Sequence, residues 1–189
     1  MGEFMLTTIL GFGLIVFFFA TEKRQRQGQD AARLDRGPFD RGSTALIAVL
    51  SLATFVVLLG ALFLHESQSL VLRWFGIVLM ISGIGLRMWA TRTLGRFYTR
   101  TLLVSRGHQI VQDGPYQIIR NPGYLGDIVM WIGAALAIGS LIAVPIVIVL
   151  LGIAYSYRIR VEEDMLFVML GAAYQSYRAK TWRLIPLIY

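Results

Sequence analysis

The stretch from Leu125 to Tyr157 carries a single charge, Asp127, and is otherwise almost wholly apolar. As one helix it would rise about 50 Å at 1.5 Å per residue, whereas the hydrocarbon core of a bilayer is about 30 Å thick. It is too apolar for a loop, because backbone polar groups in lipid must be paired internally. Gly139-Ser140 and Pro145 offer a break. The stretch therefore reads as two short spans, Leu125–Ile138 and Leu141–Tyr157, folded into a tight hairpin.

Three further apolar runs precede it. Phe4–Ala20 reads as a retained span rather than a signal peptide. Its leading flank carries Glu3 and no Lys or Arg, and no clear small-residue cleavage site comes before Glu22-Lys23-Arg24. Thr44–Leu64 is the second span. The short polar turn His65–Ser69 then returns Leu70–Trp89, the third, antiparallel beside it. Gly76, Gly83 and Gly85 on this third span would let a neighbouring helix approach closely. The remainder is a charged segment Thr21–Arg41, irregular or a short interfacial helix, a polar, basic and aromatic loop Ala90–Tyr124, and an amphipathic helical tail Arg158–Tyr189. With 56% hydrophobic residues the chain is too apolar for an ordinary soluble domain. The expectation is an all-α integral membrane protein of about five transmembrane helices. It forms one domain over residues 1–189, with three spans in 1–89 and the loop, hairpin and tail in 90–189.

A net charge of +7 would suggest nucleic acid in a soluble chain. Here Lys and Arg concentrate in Thr21–Arg41, Ala90–Tyr124 and the tail, with Arg73 and Arg87 the exceptions. That is the positive-inside pattern, and it places the N-terminus outside and the three basic segments in the cytosol. Membrane lipids are the expected surroundings, and nucleic acid is not an expected partner. There are no cysteines, so disulfides and thiolate chemistry are excluded. The two histidines, His65 and His108, fall on opposite sides of the membrane in this topology, so no metal site is indicated. No Gly-rich nucleotide fingerprint follows a strand pattern, and no GxSxG elbow occurs.

Two clusters carry chemistry. On a helix, Tyr155, Arg158 and Glu162 share one face, with Arg158 and Glu162 a direct i, i+4 pair, while Glu163 points elsewhere. A guanidinium is a planar, permanently charged fork suited to a carboxylate or phosphate. Alone, this pattern is equally compatible with a surface ion pair at a helix end. The second cluster is Gly114–Gly126, with His108 just before it. Gly114-Pro115 marks a turn, Pro122 restricts Asn121 to an extended geometry, and exposed backbone groups with Tyr or His rings suit a polar, adenine-bearing ligand. Alone, it better suits an interfacial aromatic loop. Charges inside the spans, which ion pathways need, are nearly absent apart from Asp127.

Together the clusters resemble the isoprenylcysteine carboxyl methyltransferase family and its relatives, the phospholipid N-methyltransferases. The matching residues are His108, Val111, Gly114, Tyr116, Arg120, Pro122, Tyr124 and Gly126, then Arg158, Glu162 and Glu163, then Phe167–Pro186. The compact chain is similar to prokaryotic-type members. The resemblance implies an S-adenosylmethionine site facing the cytosol and a lipophilic acceptor arriving from the bilayer, with S-adenosylhomocysteine as product. It implies a cofactor cradle of His108, Gln109, Ile110, Val111, Gly114, Tyr116, Arg120, Asn121, Pro122 and Tyr124. Glu162 and Glu163 would order the cofactor or the site. Arg158 would hold the acceptor's carboxylate with Glu162 as its partner, and the tail would form a lid. One departure is Asn121, where the family commonly has His. Asn can hydrogen-bond but cannot take a charge, which leans toward an acceptor that needs no base. The implied activity is methyl transfer to a lipid-borne carboxylate. The alternatives are a phospholipid or small lipophilic amine or thiol as acceptor, or a non-enzymatic transporter or scaffold.

Overall fold

The computed structural model of the protein describes residues 2–27, 39–64, 69–95 and 110–189. Its helices are α1 (Gly2–Gln27), α2 (Ser43–Ala61), α3 (Leu70–Leu94), α4 (Pro122–Ala137) and α5 (Ala143–Lys180), with a 3₁₀ turn, Gly114–Gln117, before α4. Four are long and apolar enough to cross a membrane, and α4 is shorter. The five helices form an all-α integral membrane bundle. Val49, Leu52, Val56, Val71, Phe75, Val78, Val149 and Ile153 point outward, as suits side chains that meet lipid. Leu58, Met80, Met130, Val147, Leu151 and Ile159 fill the centre.

The break in the last apolar stretch lies at Gly139, at a helix end of Schellman type. Gly139 takes φ 85°, a conformation that costs glycine little. Its N–H donates to Leu136 O at 2.9 Å, and the Ser140 N–H reaches back to Ala135 O at 3.0 Å. Ser140 Oγ then accepts from Ala143 N at 3.1 Å, so the residue that ends one helix helps to start the next. Pro145 is not a break. It sits in the first turn of α5, where its missing N–H is not needed.

Several helix boundaries differ from the sequence reading. α4 begins at Pro122 rather than Leu125, because proline is pre-set for the first helical position. α5 does not end near Tyr157 but runs on through Arg158, Glu162 and Glu163, bending at Gly171 (φ 50°). α1 likewise continues past Ala20 to Gln27.

The neighbour of α3 is also corrected. Among the described residues, α3 packs chiefly on α4, and α2 packs on α5. Glycines decide this. A Cβ on Gly83 would lie 2.5 Å from Gly126 O, and one on Gly76 would lie 2.6 Å from Gly133 O. The reciprocal positions are equally tight: Gly126 against Gly83 O at 2.7 Å and Gly133 against Gly76 O at 2.6 Å. Two glycine pairs one heptad apart thus bring antiparallel backbones into contact. Gly85, expected to share this role, faces open space.

Candidate functional site

The N-terminal turns of α2 and α4, the C-terminal turns of α1 and α3 and the middle of α5 meet at one end of the bundle. There Arg158, with its side chain 3% exposed, donates from Nη1 to Asp40 Oδ1 at 3.0 Å, Ser43 Oγ at 2.8 Å and Thr44 Oγ1 at 3.2 Å. Its Nε donates to the Tyr124 hydroxyl at 3.2 Å, and that hydroxyl donates onward to Glu162 Oε2 at 2.6 Å. The anticipated i, i+4 pair is therefore bridged by tyrosine, with Nε and Oε2 themselves 3.9 Å apart. Glu162 keeps 30% of its side chain exposed, far more than Arg158. Asp40 lies outside the spans. Burial opposes its charge, but hydrogen bonds from Thr44 and Ser43 and the Arg158 guanidinium outweigh it and hold the carboxyl below its ordinary value.

Glu163 belongs to a second cluster, as its different helical phase requires. Its Oε1 accepts from Arg120 Nε at 3.0 Å and its Oε2 from Arg183 Nη2 at 2.7 Å. Arg120 also donates to the carbonyls of Arg178 and Thr181, which places its positive charge at the C-terminal end of α5. Asn121 Nδ2 donates to Arg183 O at 2.9 Å. Trp182 pairs with the loop as a short parallel bridge to Ile119, through Arg120 N to Trp182 O and Trp182 N to Ile118 O. Tyr177 donates to Tyr116 O at 2.8 Å. The tail thus lies across Tyr116–Asn121, and Arg120, Asn121 and Glu163 hold it there. Tyr116 is 8% exposed. Burial first, and then the Glu162 carboxylate, keep its hydroxyl protonated well above the ordinary tyrosine range.

Gly114 seats this loop on α3. A Cβ there would be 3.1 Å from both Trp89 Nε1 and Thr93 Oγ1. Ile110 and Val111 lead into it half-buried. His108 and Gln109 lie outside the described residues. Pro122 and Tyr124 belong to α4 rather than to a loop, and Gly126 serves the crossing with Gly83.

A third network runs beneath the first. Arg87 Nε donates to Glu22 Oε1 at 3.0 Å, and Arg87 Nη1 lies 3.4 Å from Asp127 Oδ2. Tyr155 donates to the same Asp127 oxygen at 2.8 Å, and its ring stacks on Tyr124 with centroids 5.1 Å apart. At the opposite end Arg73 donates to Thr7, Thr8, Phe4 O and Ile138 O. This corrects the expectation that the spans hold almost no charge. Glu22, Arg73 and Arg87 are buried in the bundle, each with partners from another helix.

The roles of Asp40 and Arg87 escaped the sequence reading because their ion-pair partners, Arg158 for the one and Glu22 and Asp127 for the other, lie far away in the chain. Asp40 had a local signal: an acid followed by Ser43-Thr44 ahead of an apolar run is a helix-start pattern.

The tail contact is testable. Removing one member of a buried ion pair costs about 3–5 kcal/mol, and each ~1.4 kcal/mol raises an open population tenfold. Glu163→Gln leaves Arg120 and Arg183 facing each other without their shared carboxylate. Trypsin cleavage within Arg178–Arg183 is expected to accelerate at least about tenfold. An unchanged cleavage rate would show that the tail is held by other contacts.

Residues 76–168, which carry Gly83, Arg87, Tyr124, Arg158, Glu162 and Glu163, match the model of the isoprenylcysteine carboxyl methyltransferase family. Over that segment, close to half of its length, the chain is similar to that family. A protein-S-isoprenylcysteine O-methyltransferase of Dictyostelium discoideum is 30% identical over 133 residues, covering 67% of this chain and 54% of that protein. A probable protein-S-isoprenylcysteine O-methyltransferase of Oryza sativa subsp. indica is 26% identical over 159 residues, covering 78% and 83% respectively. The solved structure of the eukaryotic intramembrane Ras methyltransferase of the family shares the fold, with a TM-score of 0.63 and 23% identity over 75% of this chain and 52% of that one. The chain thus spans about half the length of the Dictyostelium relative and of the solved family member.

Proposed function

We propose that the protein is an S-adenosylmethionine-dependent methyltransferase that acts on a lipophilic, membrane-borne carboxylate of the isoprenylcysteine type. The observation that carries this reading is the Arg158–Tyr124–Glu162 chain at the mouth of an apolar bundle, within the segment shared with the family. The names of the Dictyostelium and rice relatives support the same activity.

The residues present fit a cationic cofactor in one respect. Glu162 is the accessible carboxylate of the cluster, and Tyr124 fixes its inner oxygen while part of the side chain stays exposed. S-adenosylmethionine, when bound, supplies an electrophilic methyl group on a sulfonium. Glu162 would hold a positive group of that ligand, and the Gly114–Tyr116 turn under the tail would supply a water-poor wall. Arg158 would orient the acceptor carboxylate, its charge moderated by Asp40 so that the nucleophile is aimed without being quenched. No base is required, since a carboxylate is already an anion at neutral pH. That agrees with Asn121, whose amide serves the tail. An amine acceptor must shed a proton and is less well supported. The concentration of Lys and Arg in the segments at this end supports a cytosolic site with the N-terminus outside.

Calorimetry of S-adenosylmethionine and S-adenosylhomocysteine with the protein in detergent tests the reading, alongside Glu162→Gln. Micromolar affinity is expected in the parent protein. The variant should bind roughly ten- to a hundredfold more weakly, as for loss of a charged hydrogen bond worth about 1.5–3 kcal/mol. A folded protein that binds neither ligand would end the proposal.

A further inference from the structure

The strongest unassigned feature is the short segment before α2. It lies outside the residues that match the family, yet it delivers a carboxylate to the centre of the site. Asp40 is 2% exposed. Its position does not depend on Arg158 alone: Oδ1 accepts from Thr44 Oγ1 at 2.6 Å, Ser43 Oγ at 3.1 Å and Thr44 N at 3.3 Å. Its neighbours are pinned as well. Arg41 takes φ 44°, its carbonyl accepts from Tyr157 at 2.9 Å, and its guanidinium lies 3.5 Å from Asp164. Phe39 packs on Val161 and Met165 of α5. The α2 start is thereby fastened to α5 on both sides of Arg158.

The geometry points to Asp40 as a positioning residue for the proposed methyl transfer. It holds the Nη1 side of the Arg158 guanidinium and so turns Nε toward Tyr124 and Glu162. This role rests on the proposed function and adds to it. A guanidinium on a long side chain can rotate about several bonds. A fixed carboxylate on one edge removes that freedom before any ligand arrives. Asp40 also supplies a negative charge beside Arg158, so the cation directs an acceptor carboxylate without binding it at full strength. The N-terminal half of the chain is then part of the site and not only a membrane anchor.

The test uses the full chain in detergent, with S-adenosylmethionine and a free farnesylated cysteine as acceptor. Asp40→Asn keeps the shape and removes the charge. Asp40→Glu keeps the charge and moves it by one methylene, so it serves even if the first variant does not fold. Both should lower kcat by roughly ten- to a hundredfold, the scale of a catalytic group displaced by about 1 Å. The cofactor Kd should stay within about twofold in both, because Glu162 is untouched. A merely structural role would move Kd and kcat together, or neither. Turnover by the parent protein with unchanged kcat in a folded variant would overturn the role of Asp40 alone. An equal loss of cofactor binding and turnover would overturn it as well. No turnover by the parent protein with this acceptor would overturn the acceptor reading, and the role of Asp40 with it.

Discussion

Gly83→Val should prevent α3 from closing on α4. The Cβ alone would sit 2.5 Å from Gly126 O and 2.6 Å from Met130 N, and both are backbone atoms that no side-chain rotation can clear. Overpacking against side chains costs about 1–3 kcal/mol, and a clash between two helix backbones exceeds that because both helices must move. The crossing also carries Arg87 and Asp127, so its opening pulls the buried ion pair apart. The expected result is loss of monodisperse protein in detergent, or a large fall in Tm where some protein survives. Gly85→Ala is the matched control. Nothing lies within 4 Å of its Cβ, and alanine favours a helix over glycine by about 1 kcal/mol. Equal behaviour of the two variants would mean that the glycine pairs do not set the crossing.

Arg158→Gln should remove turnover by about 10²–10³-fold, the scale of a lost preorganised donor in an active site. Cofactor affinity should change far less, since Glu162 keeps its bond from Tyr124. The substitution also strands Asp40 in a buried position, and an uncompensated buried charge costs about 3–5 kcal/mol. Adding Asp40→Asn to Arg158→Gln removes the stranded charge. The double variant should regain most of the lost stability and none of the activity. Recovery of activity, or a parallel collapse of cofactor affinity, would remove Arg158 from the acceptor side of the site.

The helices were legible in the sequence where a single physical rule governs them. Apolar length against bilayer thickness gave the spans, and Gly139 gave the hairpin, because both signals are local. The identity of neighbouring helices was not legible. Gly76, Gly83 and Gly85 look alike in the chain, but only the first two face a partner with glycines at the matching heights. The two faces of α5 were legible from helical phase, which separates Glu162 from Glu163. The partners of Arg158 and Glu163 were not, because Asp40 and Arg183 come from other segments of the chain. Arg73 and Arg87 stood apart from the three basic segments, and the structure gives the reason: each is buried with partners from another helix. The relation of Asn121 to the tail needed the structure, since a backbone carbonyl leaves no mark in a sequence.

The shortness of α4 bears on how deep the site lies. Its 16 residues rise about 24 Å, less than the ~30 Å of hydrocarbon a lipid-facing helix must cross. No residue of α4 is exposed, so α1, α3 and α5 meet the lipid on its behalf. Gly123 at its start lies level with Arg87, while α3 continues to Leu94 and α5 far beyond. The polar roof at Arg120–Asn121 is therefore recessed between taller neighbours. The tail that folds back across Arg120–Asn121 fills this recess, so the end of the bundle is roofed by the chain's own C-terminal residues.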